Sequence, residues 1–155
     1  MATLEIGNNA PNFKIKSTSE KEISLADYKG KKIVLFFYPK DNTPGCTQEN
    51  QDFRDNIKKF EKLDTVVLGI SRDKLKTHEN FKKKHELPFE LLADEDESVC
   101  NLFGVMKEKK MFGKTVHGIE RSTFIIDESG KIVFLWRKVK VPGHVEEVFN
   151  KLKEL

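Results

Sequence analysis

One cysteine stands where a chain can make a nucleophile of it. The stretch FFYPKDNTPGCTQE, Phe36 to Glu49, passes from apolar residues through a turn into a helix start. Thr43 suits the N-cap, and Pro44 suits the first helical position, where no N–H is needed and φ already fits. Cys46 then falls at the third helical position. A thiol attacks only as thiolate, and a free cysteine with a pKa of about 8.5 can drop to roughly 3.5–7.5 at a helix N-terminus or beside a cation. The unpaired N–H groups and the positive dipole end of a first helical turn both favour negative charge. The same residue could equally be a small buried apolar side chain, the common fate of a free cysteine. Position alone does not separate the two readings.

Other chemistry-bearing residues signal less. Cys100, 54 residues on, has helical spacing with Val99 and Phe103 and reads as core. His78, His85, His117 and His144 show no metal-ligand spacing and no CxxC beside them, so surface histidines are expected rather than a zinc site. The missing CxxC also argues against a disulfide reductase of the thioredoxin type. Gly113-Lys114-Thr115 matches only the end of a phosphate-binding loop, because the required glycine five residues earlier is Glu108. Lys82–Lys84 and Lys107–Lys110 read as solvated faces. The net charge of +3 comes from 28 basic and 25 acidic residues, a near balance that makes no case for nucleic acid. Trp136 and the phenylalanine-rich strands read as core, without the splayed aromatics of a nucleic-acid platform.

The elements that must position Cys46 follow from periodicity and punctuation. Residues 13–16 and 22–25 flank the polar turn Ser17–Lys21 as a modest, peripheral hairpin. Ile33–Tyr38, unbroken by polar residues, reads as a central strand covered on both faces, and Pro39 ends it. A helix from Thr43 to about Lys62 sets Phe53, Ile57 and Phe60 on one face. Thr65–Ile70 is a second buried strand, Lys74–Lys84 a weaker helix, Phe89–Ala93 a short strand, and Glu97–Phe103 a short helix closed by Gly104. Thr123–Asp127 and Lys131–Trp136 form a hairpin around Glu128-Ser129-Gly130. A last helix from about His144 carries Val145, Val148, Phe149, Leu152 and Leu155 on one stripe. Strand, helix, strand over 33–70 implies a parallel crossover, and the cysteine-bearing helix begins at the carboxyl end of a central strand, where open α/β sheets place their sites.

A chain of 155 residues without an internal linker is expected to form one domain, residues 1–155. The longest apolar run is too short to cross a bilayer. The amino terminus, MATLEIGNNAPNF, has no leader pattern, so a cytoplasmic protein is expected. Two distant cysteines do not suggest a disulfide scaffold.

The segment YPKDNTPGCTQE resembles the active-site segment of the peroxiredoxins: Pro, three residues, Thr or Ser, two residues, Cys, here Pro39, Thr43 and Cys46. FFYPKDNTPGCTQENQDFRD, GIERSTFIID and WRKVKVPGHVEEV, in that order, resemble the bacterioferritin comigratory protein, or Q-type, subfamily over nearly the whole chain. The resemblance implies an α/β, thioredoxin-like fold with a mixed central sheet and helices on both faces. It also implies reduction of hydrogen peroxide and organic hydroperoxides without metal or organic cofactor. Thioredoxin or another thiol reductant would be the partner, with a monomer expected and a dimer as the alternative. Cys46 would attack the peroxide and become a sulfenic acid. Arg121 would stabilise thiolate and leaving oxygen, Thr43 would align the peroxide, the Cys46 N–H would add a donor, and Pro39 would shield the thiolate from water. Glu49 would hold the arginine or the helix start, with an ordinary exposed glutamate as the alternative.

The chain departs from the subfamily at the resolving cysteine, which many members carry five positions after the peroxidatic one or on the next helix. Here those positions are Gln51 and Lys82. Cys100 is the remaining candidate to resolve Cys46, and a one-cysteine enzyme reduced directly by an external thiol is the alternative. Competing readings are a thiol-disulfide oxidoreductase, a glutathione-peroxidase-like protein, and a redox sensor or chaperone using the same cysteine.

Overall fold

The computed structural model describes residues 4–155, without the side chains of Lys109 and Met111; the leader reading of residues 1–3 and the Lys109 part of the solvated run lie outside it. In chain order the elements are β1 (Lys14–Lys16), β2 (Glu22–Ser24), β3 (Lys32–Phe37), α1 (Pro44–Asp55), α2 (Ile57–Lys62), β4 (Thr65–Ser71), α3 (Leu75–His85), β5 (Glu90–Ala93), α4 (Ser98–Leu102), β6 (Met106–Met111), β7 (Lys114–Ile119), β8 (Ser122–Ile126), β9 (Ile132–Trp136) and α5 (His144–Lys153). Five strands form a mixed sheet in the order β5-β4-β3-β8-β9. β3 lies at its centre, parallel to β4 and antiparallel to β8.

Alternation along β3 divides the interior into two layers. Val34, Phe36 and Tyr38 point into one cluster with Phe53 of α1, Phe60 of α2, Phe81 of α3 and Val145, Val148 and Leu152 of α5. Ile33, Leu35 and Phe37 point into the other with Val99, Cys100 and Phe103 around α4, and with Phe13, Ile23 and Leu25 from the β1–β2 hairpin region. Helices therefore cover both faces, with α1, α2, α3 and α5 on one and the short α4 and a 3-10 turn at Leu25–Tyr28 on the other. The expected peripheral hairpin is a separate two-stranded sheet, yet it seals the second layer.

Several expectations need correction. The helix read as continuous to Lys62 breaks at Asn56, whose Nδ2 donates to the Asp52 carbonyl at 2.8 Å while its backbone sits at φ −112°, ψ 7°. A side chain that bonds nearby backbone competes with the helical ladder. Phe53 and Phe60 still reach one cluster, and Ile57 is half-buried against it. Leu155 lies beyond the end of α5 and is exposed, so the apolar stripe stops at Leu152. Trp136 is half-buried at the margin, its Nε1–H donating to Glu147 at 2.7 Å.

The β6–β7 hairpin was not read at all, because its lysines hide the strand alternation. The available signal was Phe112-Gly113, whose φ values of 52° and 76° make the left-handed pair a tight hairpin turn needs. Lys114 and Thr115 open β7 behind that turn, and the buried Val105 and Ile119 fix the hairpin's base to the second layer.

Candidate active site

The site is built at the carboxyl end of β3. Tyr38, Pro39 and Lys40 follow the strand, and α1 starts at Pro44 with Thr43 as N-cap. Thr43 caps by backbone alone: its carbonyl accepts from Thr47 N at 2.9 Å, whereas its hydroxyl donates to the Lys40 carbonyl at 2.7 Å. That leaves the first-turn N–H groups, including that of Cys46, without a side-chain acceptor from the cap, and leaves the Thr43 oxygen with free lone pairs.

Cys46 is the third residue of α1 and only 1% exposed. Arg121, 75 residues later, meets it because β8 pairs antiparallel with β3 and sets Ser122 opposite Phe37, so the preceding arginine lies beside the strand's end. Its Nη2 donates to Cys46 Sγ at 3.5 Å. Its Nη1 donates to Glu49 Oε1 at 2.7 Å, and its carbonyl accepts from Val139 N at 3.0 Å. The approach is close at the first turn of α1: a Cβ at Gly45 would lie 3.2 Å from Arg121 Nη2, so a larger residue there would have to shift the guanidinium by a few tenths of an ångström.

Glu49 is fully buried one turn along α1, which settles the alternatives for it: it holds the arginine. Burial pushes its carboxyl up to about 7 against the pull of Arg121, and its Oε2 has no hydrogen-bond partner. For Arg121, burial lowers the pKa, but the facing Glu49 and Cys46 outweigh it and raise the value. The guanidinium is thus a fixed cation clamped between a carboxylate and the sulfur. Asn50 is also fully buried, with Nδ2 donating to the Cys46 carbonyl at 2.9 Å.

Cys100 is not part of this constellation. It lies in the second layer, across the sheet, while Cys46 lies in the first. Both thiols are free.

Two histidines expected at the surface are interior. His144 is 4% exposed beside Thr123 Oγ1 at 2.8 Å; burial, and then the charge of Arg121, lowers it to about 4 although Glu147 opposes. His78 is fully buried against Asp41. Each sits on the core side of an amphipathic helix, where helical phase was the only signal and the residue type argued against using it.

Comparison with known proteins agrees with this architecture. Residues 6–135 match the AhpC/TSA family. The chain is 51% identical over 153 residues to peroxiredoxin Bcp of Bacillus subtilis, covering 99% of this chain and 98% of that protein. A cysteine-to-serine mutant structure of Xylella fastidiosa PrxQ matches with a TM-score of 0.94 at 43% identity, over 99% and 98% of the two chains. A structure of Xanthomonas campestris bacterioferritin comigratory protein, described for its alkyl peroxide reduction activity, matches with a TM-score of 0.89 at 44% identity, over 92% and 90%. The sheet order, the placement of Cys46 at a helix start beside Arg121 and these similarities converge. The chain has a thioredoxin-like fold and belongs to the AhpC/TSA family, as a thiol-dependent peroxidase of the peroxiredoxin Bcp, or Q, type.

Proposed function

We propose that Cys46 is the peroxidatic residue, that Arg121, Thr43 and Pro39 complete its site, and that the enzyme works in a one-cysteine cycle. The observation that carries this reading is the guanidinium of Arg121, 3.5 Å from Cys46 Sγ and held by Glu49 at 2.7 Å. The thiolate attacks the terminal oxygen of a hydroperoxide, the S–O bond forms as the O–O bond breaks, and the leaving alkoxide takes a proton to depart as alcohol or water. Cys46 is left as a sulfenic acid. Negative charge moves from sulfur to the leaving oxygen, and a cation fixed beforehand stabilises both ends without reorganising. Thr43, whose hydroxyl hydrogen is committed to Lys40, accepts the peroxide O–H and orients the attacked oxygen. Pro39, half-buried beside the site, limits water at the sulfur.

The second half of the cycle is intermolecular. The sheet lies between Cys46 and Cys100, so a disulfide between them needs the site to unfold, whereas an external thiol needs only access to the sulfenic sulfur. That thiol expels water to give a mixed disulfide, and a second thiol releases Cys46. Thioredoxin is the proposed donor. A single domain spanning residues 1–155, monomeric and cytoplasmic, completes the reading; two free thiols support a reducing compartment.

Mass spectrometry after one equivalent of peroxide tests it. Cys46 sulfenic acid trapped by a diketone probe is the expected product, and an internal Cys46–Cys100 disulfide would overturn the one-cysteine cycle. Turnover supported by thioredoxin but not by glutathione would fix the donor.

A further inference from the structure

A second buried polar cluster lies directly behind the active-site loop and has no part in the chemistry above. Tyr38 directly follows β3, Asp41 lies in the loop and His78 lies on α3; all three are 0–2% exposed. The Tyr38 hydroxyl donates to Asp41 Oδ1 at 2.6 Å, and His78 Nδ1 meets Asp41 Oδ2 at 2.6 Å. His78 Nε2 faces the Leu92 carbonyl at 3.0 Å and Ser71 Oγ at 3.3 Å. The carbonyl can only accept, so Nε2 carries a hydrogen.

Burying such groups is costly unless each is bonded, and here each is. Asp41, Asp73 and His78 bring ligand-type atoms within 4.8 Å of one another. Those atoms are already engaged in this network, with Asp73 Oδ2 accepting from Ser71 Oγ at 2.5 Å and from Asp41 N at 2.9 Å. The arrangement is that of a hydrogen-bonded brace.

The brace acts on the segment that carries the site. Asp41 is held at three points: its N–H by Asp73, and its two carboxylate oxygens by Tyr38 and His78. Asn42 follows in the left-handed region at φ 66°, a conformation that persists where its surroundings impose it. Thr43 comes next, tied back to the Lys40 carbonyl across Asp41. We propose that Tyr38, Asp41 and His78 are positioning residues that fix the 39–43 loop and so place the Thr43 oxygen for the peroxide. This rests on the role given to Thr43 and Cys46 above.

Single-turnover oxidation of Cys46 by hydrogen peroxide tests the brace in Asp41→Asn, His78→Gln and Tyr38→Phe, each alone and combined with Thr43→Val. Displacing a reacting group by about 1 Å costs up to about 100-fold, so Asp41→Asn is expected to slow oxidation roughly 10- to 100-fold, and Tyr38→Phe less. In the Thr43→Val background most of the Asp41→Asn effect should vanish, because residues acting through one another are not additive. An undiminished effect in that background, or an unchanged oxidation rate with a lowered Tm, would overturn the proposal. Tyr38→Phe keeps the ring and its packing and serves if the other variants fold poorly. Failure of the wild-type Cys46 to react at all would instead remove the reading on which the brace depends.

Discussion

Cys46 and Cys100 start from the same local circumstances and end beside opposite charges. Each is the third residue of a helix, each is buried to within 1% of complete, and each packs among aromatic rings of one layer of the sheet. At α1 the cap side chain turns away and the charged neighbour is the Arg121 guanidinium. At α4 the buried carboxylate of Asp94 accepts from Ser98 Oγ, Val99 N and Cys100 N, the last at 2.7 Å. Burial, and then the hydrogen bond and charge of Asp94, drive the Cys100 thiol far up. The two sites share a helix start and a buried sulfur, and they differ in the sign of the charge fixed beside it.

The comparison breaks most visibly at the sulfurs themselves. Cys46→Ser is expected to abolish peroxide turnover in a coupled assay, while Cys100→Ser keeps it, and loss of turnover in Cys100→Ser would erase the distinction. Arg121→Ala should slow Cys46 oxidation roughly a hundred- to a thousand-fold in stopped flow without unfolding the protein, the loss typical of a preorganised donor. Arg121→Lys should recover only part, since a point charge cannot serve sulfur and Glu49 with a rigid fork.

Acid sharpens the contrast on the Cys46 face, where burial, with Arg121 as a lesser cause, disfavours a second cation. His144 has a folded pKa of about 4 against 6.5 unfolded, so its neutral form stabilises the fold in full above 6.5. That contribution, on the order of 3 kcal/mol, is lost as pH falls from 6.5 to 4, because the unfolded chain takes up the proton first. Denaturant melts of wild type and His144→Gln should converge over that interval. The smallest effect belongs to the other face: Asp94→Ala should cost about 1–2 kcal/mol through the lost cap and make Cys100 more open to alkylation. Unchanged labelling of Cys100 would show that burial alone protects it.

Much of the scaffold was legible because it is local. The apolar run of β3 and the Thr43-Pro44 start of α1 each depend on a few neighbouring residues. The break at Asn56 was missed because a single side chain bond opposed a periodicity that Phe53 and Phe60 still obey. The β6–β7 hairpin was missed because an exposed ribbon rich in lysine carries no apolar alternation to read. His78 and His144 were misplaced because residue type was weighed above helical phase.

The sequence by itself determined that Cys46 sits in the first turn of a helix at the end of a buried strand, since capping, proline geometry and periodicity act within a turn or two. Its motifs carried the family and hence the peroxide chemistry. Only the tertiary structure decided which cysteine gains a cation and which a carboxylate. That outcome depends on β8 lying beside β3 and on α4 lying across the sheet, contacts between segments far apart in the chain whose register no local pattern encodes.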